Sequence, residues 1–300
     1  MFHRPCPACG SNAPHPEVSS KRRGEDLPFD ELRRYWYGLF GQPVFFSYAR
    51  CDTCALLYAP EFLTADQLAE LYADMKPNMQ LVANDALAAT QRGYWDVAAF
   101  GQALDGGYLE IGPDIGYIVG HAATQAAFDH FWLVEPNRAV HAELAASTAG
   151  KPHSILTDLD DLSPVPDGSV GLAVMVHVLD HLLDPMASLA NILAKLQPGG
   201  RVMIVTHNEH SLLRRVMRKR WPPFCLQHPQ LFNPESITQL LKRAGYDRIA
   251  VERSRNVFPL DFMARQAAYG VGVNLSKVPL PKTPIGLKLG NMITVAHRPA

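Results

Sequence analysis

No apolar run in this sequence approaches the roughly 18 residues that a membrane-spanning helix requires, so nothing in it calls for a bilayer. An excess of either charge is missing as well. Lys and Arg total 28 against 29 for Asp and Glu, a formal net charge of -1, and that balance gives no global electrostatic reason to expect nucleic acid as a partner. The amino terminus, Met1-Phe2-His3-Arg4-Pro5-Cys6, lacks the apolar core of a signal peptide, which points to a reducing cytoplasm where cysteines remain thiols or bind metal. Cysteine is scarce, with five in the chain, and four of them fall in two close pairs. What the chain does have is apolar side chains. A hydrophobic content of 47% over 300 residues can bury a full core and exceeds one typical domain, so one large domain with a small appendage is expected and disorder is not.

The cysteine pairs are Cys6-Pro7-Ala8-Cys9 and Cys51-Asp52-Thr53-Cys54. Two C-x-x-C knuckles supply four thiolates, the number that a tetrahedral structural zinc requires. A redox pair is the competing reading, but that motif needs one C-x-x-C in a βαβ context, and these lie in turn-rich sequence. Between them stand Lys21-Arg22-Arg23-Gly24-Glu25-Asp26, read as a solvated loop, and Tyr35-Trp36-Tyr37, read as a hydrophobic anchor. Four closed ligands leave no open position for chemistry, so the metal is assigned to folding. Beyond them, Thr64-Ala65-Asp66-Gln67 has the spacing of a capping box and opens a helix through Leu68, Leu71 and Tyr72. A second helix is expected from Asp85 to about Leu104, broken near Gly93. This helical bridge packs on a sheet edge or roofs a cleft.

From residue 108 short apolar runs alternate with helical stretches: strand 108–111, helix 115–128, strand 131–134, helix 137–148, strand 153–156, then the buried-strand run Val170 to Val176. Such alternation means a parallel doubly wound sheet. The first unit is the most informative. Tyr108-Leu109-Glu110-Ile111 breaks into Gly112-Pro113-Asp114-Ile115-Gly116, and the next apolar run ends in the carboxylate of Glu135. The glycines let backbone pass close to a cofactor, and a carboxylate at the end of the second strand can accept hydrogen bonds from ribose hydroxyls. The dinucleotide fingerprint G-x-G-x-x-G is absent. The spacing is instead Glu-x-Gly-x-x-x-Gly.

That spacing resembles the first motif of class I S-adenosylmethionine-dependent methyltransferases, (Asp/Glu)-x-Gly-x-Gly-x-Gly, with Asp114 where the middle glycine stands. More specific likenesses follow. His177-Val178-Leu179-Asp180-His181-Leu182-Leu183-Asp184-Pro185 resembles the family's segment after the fourth strand. A helix from Met186 to Leu196 leads to Gln197-Pro198-Gly199-Gly200, similar to the family's turn before the fifth strand, and Thr206-His207-Asn208 replaces its Thr-Pro-Asn. His228-Pro229-Gln230-Leu231-Phe232-Asn233-Pro234 introduces a helix ending at Lys242-Arg243-Ala244-Gly245-Tyr246, again similar, and strands at 247–253 and 291–297 would close the sheet as an antiparallel hairpin. The resemblance implies an α/β, Rossmann-like, doubly wound seven-stranded sheet at 105–300, behind a zinc-binding module at 1–60 and a helical bridge at 61–104.

The resemblance also implies site residues. S-adenosylmethionine would be held by Glu110, Gly112, Asp114, Gly116, Glu135, Asp158 and His177. Asp114, together with Gly171 where the family has the Asp of a Phe-Asp pair, bears on activity. Methyl transfer from a sulfonium is an in-line displacement in which the protein positions the reactants and a base takes the acceptor's proton. Histidine is the natural base near neutral pH, and His228, His181 and His207 are the candidates. No carboxylate is expected beside these histidines at metal-ligand spacing, so a second metal is not expected either. The basic stretch 212–221 offers Arg214, Arg215 and Arg218 to an anionic group of the substrate. The leading reading is methyl transfer to a small biosynthetic metabolite, such as a sugar or nucleotide-linked sugar, with structural zinc. An RNA methyltransferase, a non-catalytic cofactor-binding scaffold, and an amphipathic membrane-surface protein built on 212–221 are the alternatives.

Overall fold

Seven strands form the main sheet: β1 (Asp105–Ile111), β2 (Ala127–Val134), β3 (His153–Leu156), β4 (Val170–Val176), β5 (Leu196–His207), β6 (Asp247–Arg253) and β7 (Asn291–His297). The structure is a computed structural model and describes residues 1–36, 44–73, 84–101, 103–270, 275 and 278–300. Strand order is β3-β2-β1-β4-β5-β7-β6. The first five run parallel, and β7 is antiparallel to both β5 and β6. This is the expected Rossmann-like doubly wound sheet, in which ligands collect at the carboxyl ends of the strands where the order reverses, between β1 and β4. The apolar run of β4 is buried because both faces of the sheet are covered. β6 and β7 pair as expected but are not a simple hairpin: a two-stranded ribbon (Asn256–Pro259 with Pro284–Leu287) and a helix at Leu260–Gly270 lie between them in sequence.

The helices follow their local signals. Thr64 and Gln67 form the anticipated reciprocal cap, with Gln67 N–H donating to Thr64 Oγ1 at 3.3 Å and Thr64 N–H to Gln67 Oε1 at 3.1 Å, at the head of α1 (Ala65–Ala73). Next comes α2 (Asn84–Ala99), which runs unbroken through Gly93. The expected break does not occur because Tyr94, Trp95 and Ala98 are anchored in the core, and that burial outweighs the roughly 1 kcal/mol helix cost of one glycine. Tyr37 and the middle of the bridge, 74–83, lie outside the described residues. After β1 come α3 (Tyr117–Gln125), α4 (His141–Ser147), α5 (Pro185–Lys195), α6 (Leu212–Met217) and α7 (Pro234–Arg243). Asp184 caps α5 and Asn233 caps α7 in a capping box. No helix among the described residues is long and apolar enough to cross a membrane.

The boundary expected at residue 60 is crossed by a sheet. Pro14–Val18, Tyr48–Cys51 and Leu57–Tyr58 form antiparallel strands, and Gln230–Leu231, from beyond β5, adds the fourth. One apolar cluster joins Trp36, Phe45, Tyr48 and Phe62 of the amino-terminal part to Trp221, Phe224, Leu226 and Leu231. The segment carrying His228 is thus built into the cysteine module.

Two glycines carry unusual demands. Gly116 has φ +81°, and a Cβ there would lie 2.9 Å from Leu144 Cδ1 and would also collide with Ser147, so it sets how closely α4 packs on the start of α3. At Gly171 a side chain would strike the Asp105 carbonyl, where β4 bulges against β1. Gly171 stands six positions before His177 and so on the order of 20 Å from the carboxyl end of β4. Its departure from the family pattern has a packing cause in the close Asp105 carbonyl. Gly116→Ala combines a disfavoured left-handed conformation with overpacking, so it should lower unfolding free energy by about 2–4 kcal/mol in urea denaturation.

Candidate functional site

The turn after β1 is shaped by three consecutive demands. Gly112 (φ +68°), Asp114 (φ +51°) and Gly116 (φ +81°) all adopt left-handed backbone, which wraps the chain around the carboxyl end of the strand. Glu135, at the end of β2, fixes this turn: its Oε2 accepts the Asp114 N–H at 3.0 Å and its Oε1 the Asn137 N–H at 2.8 Å. Each oxygen keeps a second lone pair for another donor. Glu110 is buried and accepts a hydrogen bond from the Tyr108 hydroxyl, and burial pushes its carboxyl up to about 8. Burial and the neighbouring Glu135 push Asp114 up to about 6. Three carboxyl groups thus crowd one turn, a setting that favours a cationic ligand. Asp158, at the carboxyl end of β3, is exposed and accepts the Asp160 N–H at 2.9 Å.

Beside this turn lies the loop after β4, and a Cβ on Gly112 would come within 2.7 Å of Val178. In that loop the His181 N–H turns back onto the Val178 carbonyl at 2.8 Å. His177 has φ +53° and turns the chain sharply at the strand end. Four imidazoles meet there. Ring centroids are 4.5 Å apart for His177 and His207, 4.6 Å for His181 and His228, and 5.1 Å for His207 and His228. Burial lowers all four, His177 to about 4 and His181 and His207 well below the usual imidazole range. At neutral pH they are uncharged proton acceptors. His228 Nδ1 lies 2.7 Å from the Pro223 carbonyl, which can only accept, so Nδ1 carries the proton and Nε2 the free lone pair. Tyr72 reaches His181 Nδ1 at 3.0 Å from α1.

A carboxylate does accompany the histidines. Asp180 is fully buried among them, with Oδ2 accepting the His207 N–H at 3.0 Å. Its field raises His228 against the lowering by burial. The expectation of no carboxylate at ligand spacing is therefore corrected, and the clue was present in sequence, three residues after His177 and one before His181. Asn291, from β7, was missed for a different reason: only the strand order brings it to His207 Nδ1 at 3.0 Å and His177 Nε2 at 3.2 Å.

The three arginines do not share one environment. Arg214 is paired with Glu17 at 3.3 Å and lies over the Phe224 ring, whereas Arg215 and Arg218 are exposed. Leu213 and Met217 turn to the apolar cluster, which leaves Leu212 and Val216 outside.

The cysteines come together. Cys6 and Cys54 Sγ lie 3.4 Å apart and Cys9 and Cys51 Sγ 3.5 Å apart, close to the roughly 3.8 Å edge of a tetrahedron with about 2.3 Å zinc–sulfur bonds. All four sulfurs fall within 4.8 Å of one another. Both knuckles turn alike, with Gly10 (φ +72°) and Ala55 (φ +58°) in left-handed backbone after the second cysteine. Accepting from Cys6 pulls Cys54 down to about 5, and donating to Cys54, with burial adding to it, pushes Cys6 far up. This set fits a zinc ion.

From the knuckle a chain of hydrogen bonds reaches the histidines. Arg4 Nη2 donates to Gln230 Oε1 at 2.6 Å, and Gln230 Nε2 donates to the Leu179 and Leu182 carbonyls at 3.0 and 2.7 Å. Tyr48 donates to the His228 carbonyl at 2.7 Å. The cysteine module therefore holds both the segment bearing His228 and the turn bearing Asp180 and His181.

Residues 88–251, more than half of the chain, match the family described as a methyltransferase domain. The chain belongs to that methyltransferase family. A Mycolicibacterium smegmatis protein described as an S-adenosylmethionine-dependent methyltransferase is 30% identical over 95 residues, which cover 32% of this chain and 34% of that one. The match thus spans about a third of that relative's length. Among solved structures, a Listeria monocytogenes protein described as an S-adenosylmethionine-dependent methyltransferase aligns with TM-score 0.50 and 12% identity, covering 70% of this methyltransferase-family chain and 99% of its own. The cyclase SpnF aligns with TM-score 0.50 and 14% identity over 80% and 98%. At these identities the likeness concerns the fold.

Removing the Gln230 amide would leave the Leu179 and Leu182 carbonyls unpaired and Arg4 without its acceptor. Gln230→Leu should destabilise the protein by about 2–4 kcal/mol in chemical denaturation, on the scale of buried polar groups left unsatisfied.

Proposed function

We propose that the chain is an S-adenosylmethionine-dependent methyltransferase acting on a small biosynthetic metabolite, such as a sugar or nucleotide-linked sugar, at oxygen or carbon. One observation carries this reading: the glycine turn that would cradle the cofactor abuts, through Gly112 and Val178, the loop that carries His177 and His181. Family membership supports it. The donor set fits S-adenosylmethionine, because Asp114 and Glu135 face a ligand with an ammonium, a sulfonium and ribose hydroxyls, and Gly112 leaves no side chain in the way. Bound there, the cofactor supplies an electrophilic methyl group.

The chain's own residues would do the rest. Glu135 would accept the ribose hydroxyls with its remaining lone pairs, while Glu110, Asp114, Gly116, Asp158 and His177 complete the cofactor side. His228 is the best placed base, since it alone of the four histidines is supported by the Asp180 field. His181 and His207 surround it. Arg215 and Arg218, and Arg214 where Glu17 leaves it charge to spare, would offer a positive edge to an anionic substrate group. Cys6, Cys9, Cys51 and Cys54 would hold one structural zinc. On this reading 1–60 is a zinc module that borrows 230–231, 61–104 is the bridge, 105–300 is the transfer domain, and the protein works in the cytoplasm.

A second reading has its own support. SpnF shares the fold and is described as a cyclase, and Asp114 departs from the family's glycine. A cofactor-bound protein that transfers no methyl group would fit both facts.

A screen with labelled cofactor against nucleotide sugars, phenols, small acids and RNA should find one small-molecule acceptor. His228→Ala should then reduce turnover by about 10²–10⁴ with cofactor affinity intact, the range for a lost general base. Cofactor binding without transfer to any acceptor would favour the second reading.

Asp114 gives a pH test. Its carboxyl is raised to about 6, so it is mostly neutral at pH 5 and mostly charged at pH 7. A cationic ligand prefers the charged form, and affinity for S-adenosylmethionine by calorimetry should rise roughly tenfold over that interval. In Asp114→Asn the rise should vanish.

A further inference from the structure

We propose that His177, Asp180 and His207 form a binding site for a divalent first-row transition ion, distinct from the four cysteines. One ligand atom from each residue lies within 4.8 Å of the other two. The groups are also left wanting a partner. Asp180 is fully buried, yet its Oδ1 has no hydrogen-bond partner among the described residues, and His177 Nδ1 is likewise buried and unpartnered. An unsatisfied buried carboxylate oxygen is costly, and an ion between these three residues would give Asp180 Oδ1 a partner.

The surroundings match such a use. Asn291 Oδ1 lies 3.0 Å from His207 Nδ1 and can only accept, so the His207 proton sits on Nδ1 and its Nε2 lone pair is free, the role that an outer hydrogen bond plays for a ligating imidazole. Asn291 Nδ2 faces His177 Nε2 at 3.2 Å, and for His177 Nδ1 to bind an ion the amide must turn so that Oδ1 accepts from both rings. The Asp180 carboxylate is oriented by the His207 N–H. Two imidazoles and one carboxylate suit zinc, ferrous iron or their neighbours rather than magnesium or calcium, which prefer oxygen throughout. Three protein ligands leave coordination positions open, unlike four cysteines. An ion in this place would hold a substrate hydroxyl and lower its proton affinity. That use rests on the methyl-transfer reading, whereas the site itself does not.

The test is cobalt uptake by the full chain after treatment with a chelator, followed by equilibrium dialysis and visible absorption. Two equivalents are expected, one with intense thiolate-to-cobalt absorption and one without. Asp180→Asn and His207→Gln should weaken the second equivalent by at least about tenfold and keep the thiolate band. Cys6→Ser should lose the thiolate band. Uptake of a single, thiolate-bound equivalent by the wild type would overturn the proposal without reference to any variant. So would variants that retain native circular dichroism and bind the second equivalent as the wild type does. If the second equivalent binds as expected and no methyl acceptor is found, the metal site stands and only the methyl-transfer reading fails.

Discussion

The Gln230 side chain sits where three parts of the molecule meet. Its oxygen takes the Arg4 guanidinium from the cysteine module, its nitrogen ties down the Leu179 and Leu182 carbonyls of the histidine loop, and its backbone is a strand of the module's sheet. Burial makes this arrangement exacting, because every one of these groups has been taken from water and a missing partner costs on the order of 1–3 kcal/mol. Arg4 adds a charge to the account: burial draws its guanidinium down to about 10, while the nearby Cys6 acts in the opposite sense. A zinc ion with four thiolates carries net negative charge, so metal in the knuckle would favour the charged Arg4 and tighten the same link. Folding of the module and shape of the histidine site are thereby one problem.

A parallel link runs along the other side of the interface. Arg50 donates to the buried Glu209 at 2.7 Å and to Glu17, Glu17 takes Arg214 at 3.3 Å, and Asn233 Nδ2 reaches Glu209 Oε1 at 2.8 Å. The basic stretch after β5 therefore has a structural duty at its first arginine, while Arg215 and Arg218 further out are exposed. Surface ion pairs are individually weak, but the Arg50–Glu209 pair is buried at its acidic end, and losing one partner there would strand a charge.

What could be read from the sequence was whatever depends on local spacing. The Gly112–Gly116 turn and Glu135 announce a βαβ unit, the alternation from 108 onward gives the parallel sheet, Thr64 and Gln67 give a cap, and paired knuckles give four converging sulfurs. Asp180 was legible and went unused, since it stood inside a segment already explained as a family motif. Other features were not legible. Gln230 as a strand of the amino-terminal sheet is a pairing across a large sequence separation with no local signature. Gly171 is dictated by the Asp105 carbonyl of a neighbouring strand, and Asn291 reaches the histidines only because β7 inserts between β5 and β6. Gly93 misled because helix propensity is a weak prior once Trp95 is buried.

Two non-glycine residues in left-handed backbone, Asp114 and His177, stand at the carboxyl ends of the adjacent strands β1 and β4. Each conformation costs on the order of 1 kcal/mol or more and persists only where the surroundings over-determine it. Here the surroundings are polar and specific: Glu135 holds the Asp114 amide, and Asn291 holds the His177 ring. A chain selected for stability alone would place glycine at both turns, as it does at Gly112 and Gly116. Keeping a carboxyl and an imidazole at these two points instead puts two titratable groups at the carboxyl ends of β1 and β4, the end of a doubly wound sheet where ligands bind.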